Sequence, residues 1–175
     1  MKRQAGWMLL VPLLAFAPLS SGHAQLSAQG GPIDYSAEAQ DWRAEERTLV
    51  LSGNVDVIQD DTRLQADTVS LILRPEQAAG QSGQGQPSSD DVQRIIAEGD
   101  VHLTRVDQRI RGDMAVYDDD ADTVTFTGNV IVATRDLVSR GELLVYEVST
   151  GIARMNPNRR PGERVKGRFN SAPAE

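Results

Sequence analysis

Apolar and polar residues alternate strictly along three stretches of the chain. Each stretch is centred on a glycine, at Gly53, Gly99 and Gly128. The alternating apolar positions are Leu49, Leu51, Val55, Val57, Ile95, Val101, Leu103, Val124, Phe126, Val130 and Val132. A period of two places successive side chains on opposite faces, which is typical of a half-buried β-strand. The pattern therefore predicts strands that share one apolar face.

A unit of 29 residues repeats through the chain. Each central glycine opens a Gly-(Asn/Asp)-Val motif, and Gly99 and Gly128 are 29 residues apart. The interval from Gly53 to Gly99 is 46 residues, which is one unit plus an insertion of 17. A small residue followed by an acid recurs in the same register, with the acids at Glu38, Asp67, Asp113 and Glu142. A repeat that keeps its register indicates one supersecondary unit used several times.

The parity of the apolar positions changes at each small–acid pair. Leu64 and Ala66 share one parity, whereas Val69 and Leu71 share the other. Because a shift of one residue turns every side chain to the other face, a β-bulge or corner must absorb it. We predict structural corners, with carboxylates that accept backbone N–H groups, at Glu38, Asp67, Asp113, Glu142, Gly53, Gly99 and Gly128. One acid per repeat indicates architecture rather than catalysis, so no catalytic residue is predicted.

The predicted fold class is all-β, with short antiparallel strands repeated in two layers and no amphipathic helix. The domain is predicted to span residues 25–157, with exposed strand edges near 33–42 and 143–155. Residues 76–91 are rich in Gly, Gln and Ser and predict a flexible inserted loop. Residues 158–175 are basic and predict a disordered tail, the alternative being that its apolar residues extend a last strand.

The first 24 residues have the pattern of a secretory signal. Lys2 and Arg3 precede an apolar segment over residues 7–19, and small residues lead up to Ala24. Cleavage is predicted after Ala24. A retained membrane anchor is disfavoured, because 13 apolar residues interrupted by two prolines are fewer than the roughly 18–20 that span a bilayer.

Composition excludes several kinds of function. The 175 residues hold 25 acids and 18 basic residues, a net charge of −7 that disfavours nucleic-acid binding. There is no cysteine, which excludes disulfides and zinc–thiolate sites, and two histidines are too few for a histidine metal cage. No metal and no cofactor is therefore predicted.

The repeat resembles the OstA-like repeat family of periplasmic lipopolysaccharide transport proteins. The residues that carry the resemblance are Ala66-Asp67, Phe126-Thr127-Gly128-Asn129-Val130 and Gly141-Glu142, and it covers roughly residues 31–155. It implies a slightly twisted, open β-jellyroll whose apolar interior shields the acyl chains of lipid A. It also implies head-to-tail homo-oligomers that bridge the two membranes, with LptC-like inner-membrane and LptD-like outer-membrane partners.

The resemblance makes the eleven alternating apolar residues candidates for lipid binding, the alternative being that they only pack against one another. Without the signal the chain has 16 basic and 25 acidic residues, a charge of −9, so apolar burial must dominate capture of an anionic glycolipid. Arg105, Arg109 and Arg111 cluster around one turn and are candidates for phosphate contacts, or else form a solvated turn.

Three alternative functions stay open at this point. A structural assembly protein would polymerise through strand edges without a ligand. A secreted enzyme acting on polysaccharide would need carboxylates gathered at one site, whereas the acids here are spread one per repeat. A membrane-anchored relative in the same family is disfavoured by the short apolar segment near the N-terminus.

Overall fold

Ten β-strands hold most of the residues that the structure describes, which in this computed structural model are residues 32–75, 91–158 and 162–169. The strands are β1 (Asp34–Ser36), β2 (Ala39–Arg43), β3 (Thr48–Gln59), β4 (Thr62–Leu73), β5 (Val92–Thr104), β6 (Gln108–Asp118), β7 (Thr123–Thr134), β8 (Leu137–Glu147), β9 (Ala153–Met155) and β10 (Lys166–Phe169). The predicted signal peptide, and the predicted loop up to residue 90, lie outside the described residues. Across the described ranges, no helix is long and apolar enough to cross a membrane.

The strands form one antiparallel sheet in nearly sequential order. The six long strands, β3 to β8, each pair with the next along the chain. At one edge β1 and β2 both pair with β3, and at the other β9 and β10 both pair with β8. We call these the N-terminal edge and the C-terminal edge. Among the described strands, none of the N-terminal edge pairs with any of the C-terminal edge, so the sheet is open. The all-β prediction is confirmed.

The pairing register shifts where each glycine-centred strand passes its glycine. In β3 the shift lies between Ser52 and Val55, so that Gly53 and Asn54 together face Asp67 of β4. Gly53 has φ 78° and Asn54 has φ 45°, the left-handed region that glycine and asparagine enter most readily. The same bulge recurs in β5 and β7, at Gly99-Asp100 and Gly128-Asn129.

The bulges line up in a row that divides the sheet into two layers. One layer, which we call the first layer, consists of β1, β10 and the strand halves at residues 55–59, 62–66, 101–104, 108–112, 130–134 and 137–141. The second layer holds the halves at residues 48–52, 68–73, 92–98, 114–118, 123–127 and 143–147, with β2 and β9. Side chains from both layers belong to one apolar core, so the row of bulges folds the sheet over itself.

The parity change predicted at the small–acid pairs keeps apolar residues inward in both layers. In β4, Leu64 and Ala66 are buried before Asp67, and Val69 and Leu71 are buried after it although their parity differs. If β4 ran past Asp67 without a corner, one of these pairs would turn to the solvent. The corner at Asp67, opposite the two-residue bulge of β3, therefore allows β4 to contribute to the core from both layers.

The prediction of a disordered tail is wrong for Lys166–Phe169. These residues form β10 and pair antiparallel with Leu137–Arg140 of β8. The backbone groups along the outer side of β8 need hydrogen-bond partners, and an extended segment supplies them whatever its side chains are. The alternative that the tail extends a last strand is the one observed.

Candidate functional site: the interior and the two sheet edges

The candidate lipid-binding residues face one common interior. Eight of the eleven are buried in a single core cluster, and Leu49, Val124 and Val132 are partly buried against it. Phe126, Leu51, Val55, Val101 and Val130 are among the largest fully buried side chains. The structure thus brings together residues from β3, β5 and β7 that lie up to 83 positions apart in the sequence.

Among the residues that the structure describes, side chains largely fill the interior. It contains a cavity of about 20 Å³, lined by side chains of both layers that include Leu64, Leu103, Ile95 and Phe126. This volume is close to that of one water molecule and is far too small for an acyl chain. Any acyl chain that enters between the layers must therefore push them apart.

The predicted arginine cluster is divided between the two faces of the sheet. Arg105 lines the interior cavity, and its guanidinium carbon lies 5.7 Å from the centre of the Tyr146 ring. Arg109 and Arg111 are exposed on the outer face. Arg109 and Arg111 are two residues apart in β6, so both point away from the interior that Arg105 faces. The three arginines therefore do not form one phosphate site.

Arg111 is engaged by an acid from the neighbouring strand. Its Nη2 lies 2.7 Å from Oδ1 of Asp100, and His102 Nε2 lies 3.2 Å from the same oxygen. Partial desolvation raises the pKa of Asp100, but the hydrogen bond and charge of Arg111 outweigh it. The pKa of Asp100 is therefore below its ordinary value, and Arg111 is held by an ionised carboxylate.

The corner acids lie beside the bulges, and the hydrogen-bond donors to Glu38 and Asp113 differ from those predicted. Asn54 Nδ2 donates to the Glu38 carboxylate, and Asn129 Nδ2 donates to Asp113 Oδ2 at 2.9 Å. Backbone N–H groups were the predicted donors. In the bulges of β3 and β7 the left-handed residue is an asparagine, whose amide reaches the acid, whereas in β5 it is Asp100, whose carboxylate has no hydrogen to donate.

The last repeat uses a residue that the sequence analysis missed. Asn156 is buried with φ 48°, and its Oδ1 accepts the backbone N–H groups of Glu142 at 2.9 Å and Leu143 at 3.0 Å. No glycine precedes it, and it follows its acid by 14 residues, whereas Asn129 follows Asp113 by 16. Because Asn156 is out of register with the other bulge residues, the repeat pattern does not predict its role.

The N-terminal edge exposes aromatic residues on its inward side and acids on its outward side. Tyr35 and Trp42 lie opposite core-facing residues of β3 yet remain 46% and 48% exposed. Asp34 and Asp41 occupy alternate positions and are exposed, and the exposed Arg43 beyond them is paired with Glu46 at 3.5 Å. The apolar face of the sheet thus continues to this edge without being covered.

The C-terminal edge has the same apolar side but the opposite charge. Phe169 pairs with Leu137 on the inward side and is 78% exposed. Lys166 and Arg168 point outward, paired with Arg140 and Val138. Along this edge, as at the other, an aromatic side chain would be covered if the sheet were extended by another strand.

A repeated antiparallel sheet, folded along a row of bulges over an apolar interior and open at both edges, defines the OstA-like β-jellyroll class. A family model described as "LptA/(LptD N-terminal domain) LPS transport protein" matches residues 34–152. That match covers more than half of the chain, and the chain belongs to this family of lipopolysaccharide (LPS) transport proteins. The family consists of transport components, so the resemblance and the prediction of no enzymatic activity are both confirmed.

A solved structure shares the fold. It is LptH from Pseudomonas aeruginosa, described as the LptA-homologous periplasmic component of the conserved lipopolysaccharide transport device. The similarity has a TM-score of 0.64 at 17% sequence identity and covers 81% of this chain and 96% of that one. This confirms the predicted β-jellyroll. Among curated proteins, none matches the chain.

Proposed function

We propose that this LPS transport protein acts in the periplasm as a carrier. It holds the acyl chains of lipid A between its two layers and forms part of a head-to-tail bridge from the inner to the outer membrane. The observation that carries the proposal is the continuous apolar interior between two layers joined along the row of bulges. Each CH₂ group removed from water contributes about 0.8 kcal/mol, so a few acyl chains suffice for tight binding despite the acidic net charge.

Export to the periplasm is supported by two observations. The first 24 residues have the pattern of a cleavable secretory signal. LptH, which shares the fold, is described as a periplasmic component. The protein should be expressed with its own N-terminus and recovered from the periplasm, and its intact mass should correspond to a chain that begins at Gln25. A protein retained whole in the inner membrane would contradict this part of the proposal.

The two sheet edges support head-to-tail assembly. Both present exposed aromatic residues on the inward side, so that pairing one edge with the other continues the apolar interior from copy to copy. Their outward sides carry opposite charge, with Asp34 and Asp41 on the N-terminal edge and Lys166 and Arg168 on the C-terminal edge. Pairing two identical edges would instead place like charges together. Unlike edges therefore pair, and LptC-like and LptD-like partners meet the free edge at each end.

Acyl-chain binding can be tested by the separation of the layers, since the packed interior has to open. The chain has no cysteine, so pairs of engineered cysteines accept spin labels without a background signal. Val106→Cys lies in the first layer at a turn, and Ser149→Cys follows the second layer. Purified LPS should lengthen the distance between these labels. A control pair within the second layer, Ser70→Cys with Ser149→Cys, should keep its distance.

The packed interior also favours a second candidate, a structural assembly protein that polymerises without a ligand. A protein that holds no ligand needs no space between its layers, and the cavity of about 20 Å³ agrees with this. Native mass spectrometry separates the two candidates. A saturable LPS adduct together with a longer label distance supports the carrier. Oligomers that form with concentration, without an adduct and with unchanged label distances, would replace the carrier by the structural protein.

A further inference from the structure

Arg105 is placed where the first layer ends. It closes the turn between β5 and β6, donating its backbone N–H to the Gln108 carbonyl at 2.8 Å and accepting the Gln108 N–H at 3.4 Å. This tight turn leaves Val106 at its tip, 79% exposed. In contrast to Val106, the Arg105 side chain points inward and lines the interior cavity.

The Arg105 side chain connects the two layers. Its guanidinium lies over the ring of Tyr146, which belongs to β8 in the second layer. The other side chains that line the cavity, including Tyr117 and Phe126, are apolar or aromatic. Arg105 is the one charged residue in that lining. The face of an aromatic ring attracts a cation only modestly, so this contact between the layers can be exchanged for a stronger one.

We propose that Arg105 is a latch between the layers and the binding site for the acidic headgroup of an amphiphile. The inference rests on the proposed function and extends it to a ligand class, acyl chains adjacent to a phosphate. When chains part the layers, the guanidinium loses the Tyr146 ring. A phosphate then replaces the ring through two parallel N–H···O bonds, a geometry that the planar guanidinium matches. The chains lie against the apolar lining while the phosphate stays at the rim.

The neighbouring arginines do not offer this combination. Arg109 and Arg111 are exposed on the outer face of the same hairpin, away from the apolar lining. Arg111 is held by Asp100 at 2.7 Å. Arg109→Gln therefore provides a matched control, since it removes the same charge close to the same turn without touching the interior.

The test compares the binding of lipid A with that of a dephosphorylated lipid A bearing the same chains, by native mass spectrometry. Arg105→Gln should weaken lipid A binding about tenfold, because charge-assisted hydrogen bonds are lost. It should leave binding of the dephosphorylated lipid unchanged or stronger. Arg109→Gln should change lipid A binding less than about twofold. Excess inorganic phosphate should not compete, and effective competition would replace the amphiphile site by a site for free phosphate.

The latch is tested separately by the label pair at Val106 and Ser149. Without lipid, Arg105→Gln and Tyr146→Leu should both broaden the distance distribution, whereas Tyr146→Phe, which keeps the ring, should not. Tyr146→Leu should still prefer phosphorylated lipid, because Arg105 is intact. Thermal unfolding of every variant verifies that it is folded.

Two failures can be told apart. If the unmodified protein does not bind lipid A, the proposed function is wrong. If the unmodified protein binds lipid A and folded Arg105→Gln binds it equally well, the proposed function stands and the Arg105 inference is overturned. The same holds if Arg105→Gln and Arg109→Gln weaken lipid A binding to the same extent.

Discussion

Gly128 offers the sharpest test of how the sheet is folded. Its φ is 74°, and a Cβ placed there would collide with the carboxylate of Asp113 on the adjoining strand. A left-handed alanine costs roughly 1–2 kcal/mol, and forced overpacking costs roughly 1–3 kcal/mol. Gly128→Ala should therefore lower the free energy of unfolding by at least about 2 kcal/mol. For a chain of this length that corresponds to a melting temperature about 4–8 °C lower.

A matched control separates the backbone term from the collision. Gly151 has a similar φ of 69°, but its nearest neighbour to a new Cβ is the Tyr146 hydroxyl at an ordinary contact distance of 3.9 Å. Gly151→Ala should thus cost only the backbone term, roughly 1–2 kcal/mol. Both variants are compared with the parent protein by urea unfolding monitored by circular dichroism.

A double-mutant cycle completes the test. Asp113→Ala removes the carboxylate that a Cβ at position 128 would meet, together with the hydrogen bond from Asn129. Gly128→Ala combined with Asp113→Ala should be less destabilising than the sum of the single changes by about 1 kcal/mol. Additive effects, or equal losses for Gly128→Ala and Gly151→Ala, would refute the reasoning that close approach of acid and glycine builds the corner.

Three further predictions concern the core, the turns and the edges. Phe126→Ala should lower the free energy of unfolding by about 3–5 kcal/mol in urea denaturation, because the side chain is fully buried, and a smaller loss would mean that the layers collapse onto the gap. The hydrogen bond from Arg94 lowers the pKa of Asp118 in the folded protein. Ionised Asp118 therefore stabilises the fold fully above its unfolded pKa of about 3.9, and this stabilisation is lost as the pH falls through the lower folded pKa. Asp118→Asn should flatten that part of the pH–stability profile, and an unchanged profile would contradict this assignment. Lys166→Glu should weaken self-association in sedimentation velocity, and Asp34→Lys in the same chain should restore it at the same low salt concentration; a double variant that associates no better than Lys166→Glu would argue against pairing of unlike edges.

The strands and their corners were predictable because both depend on neighbouring residues. Alternation of apolar and polar side chains is a property of each strand by itself, and it places Leu51, Val101 and Phe126 in the core as observed. The change of parity at Asp67 required a bulge, and the structure has one there. Glycine followed by asparagine or aspartate is the local pattern that allows two left-handed residues in succession.

The missed features all depend on residues brought together from distant parts of the sequence. The inward course of Arg105 depends on Tyr146, which lies 41 residues further along the chain. The pairing of Lys166–Phe169 depends on the free side of β8 rather than on any strong preference of the segment itself. Asn156 replaces the glycine motif in the last repeat through hydrogen bonds to a strand more than ten residues away.

Local patterns in the amino-acid sequence were enough to predict the class of fold, the repeat, the places where the sheet bends and the family. These follow from side-chain polarity and backbone preferences that act over a few residues. The approach of the two layers, the arginine that faces the interior and the side chains at each edge became clear from the folded chain. The separation of the layers depends on how side chains from six strands pack against one another, and that sum of contacts is not contained in any single stretch of the chain.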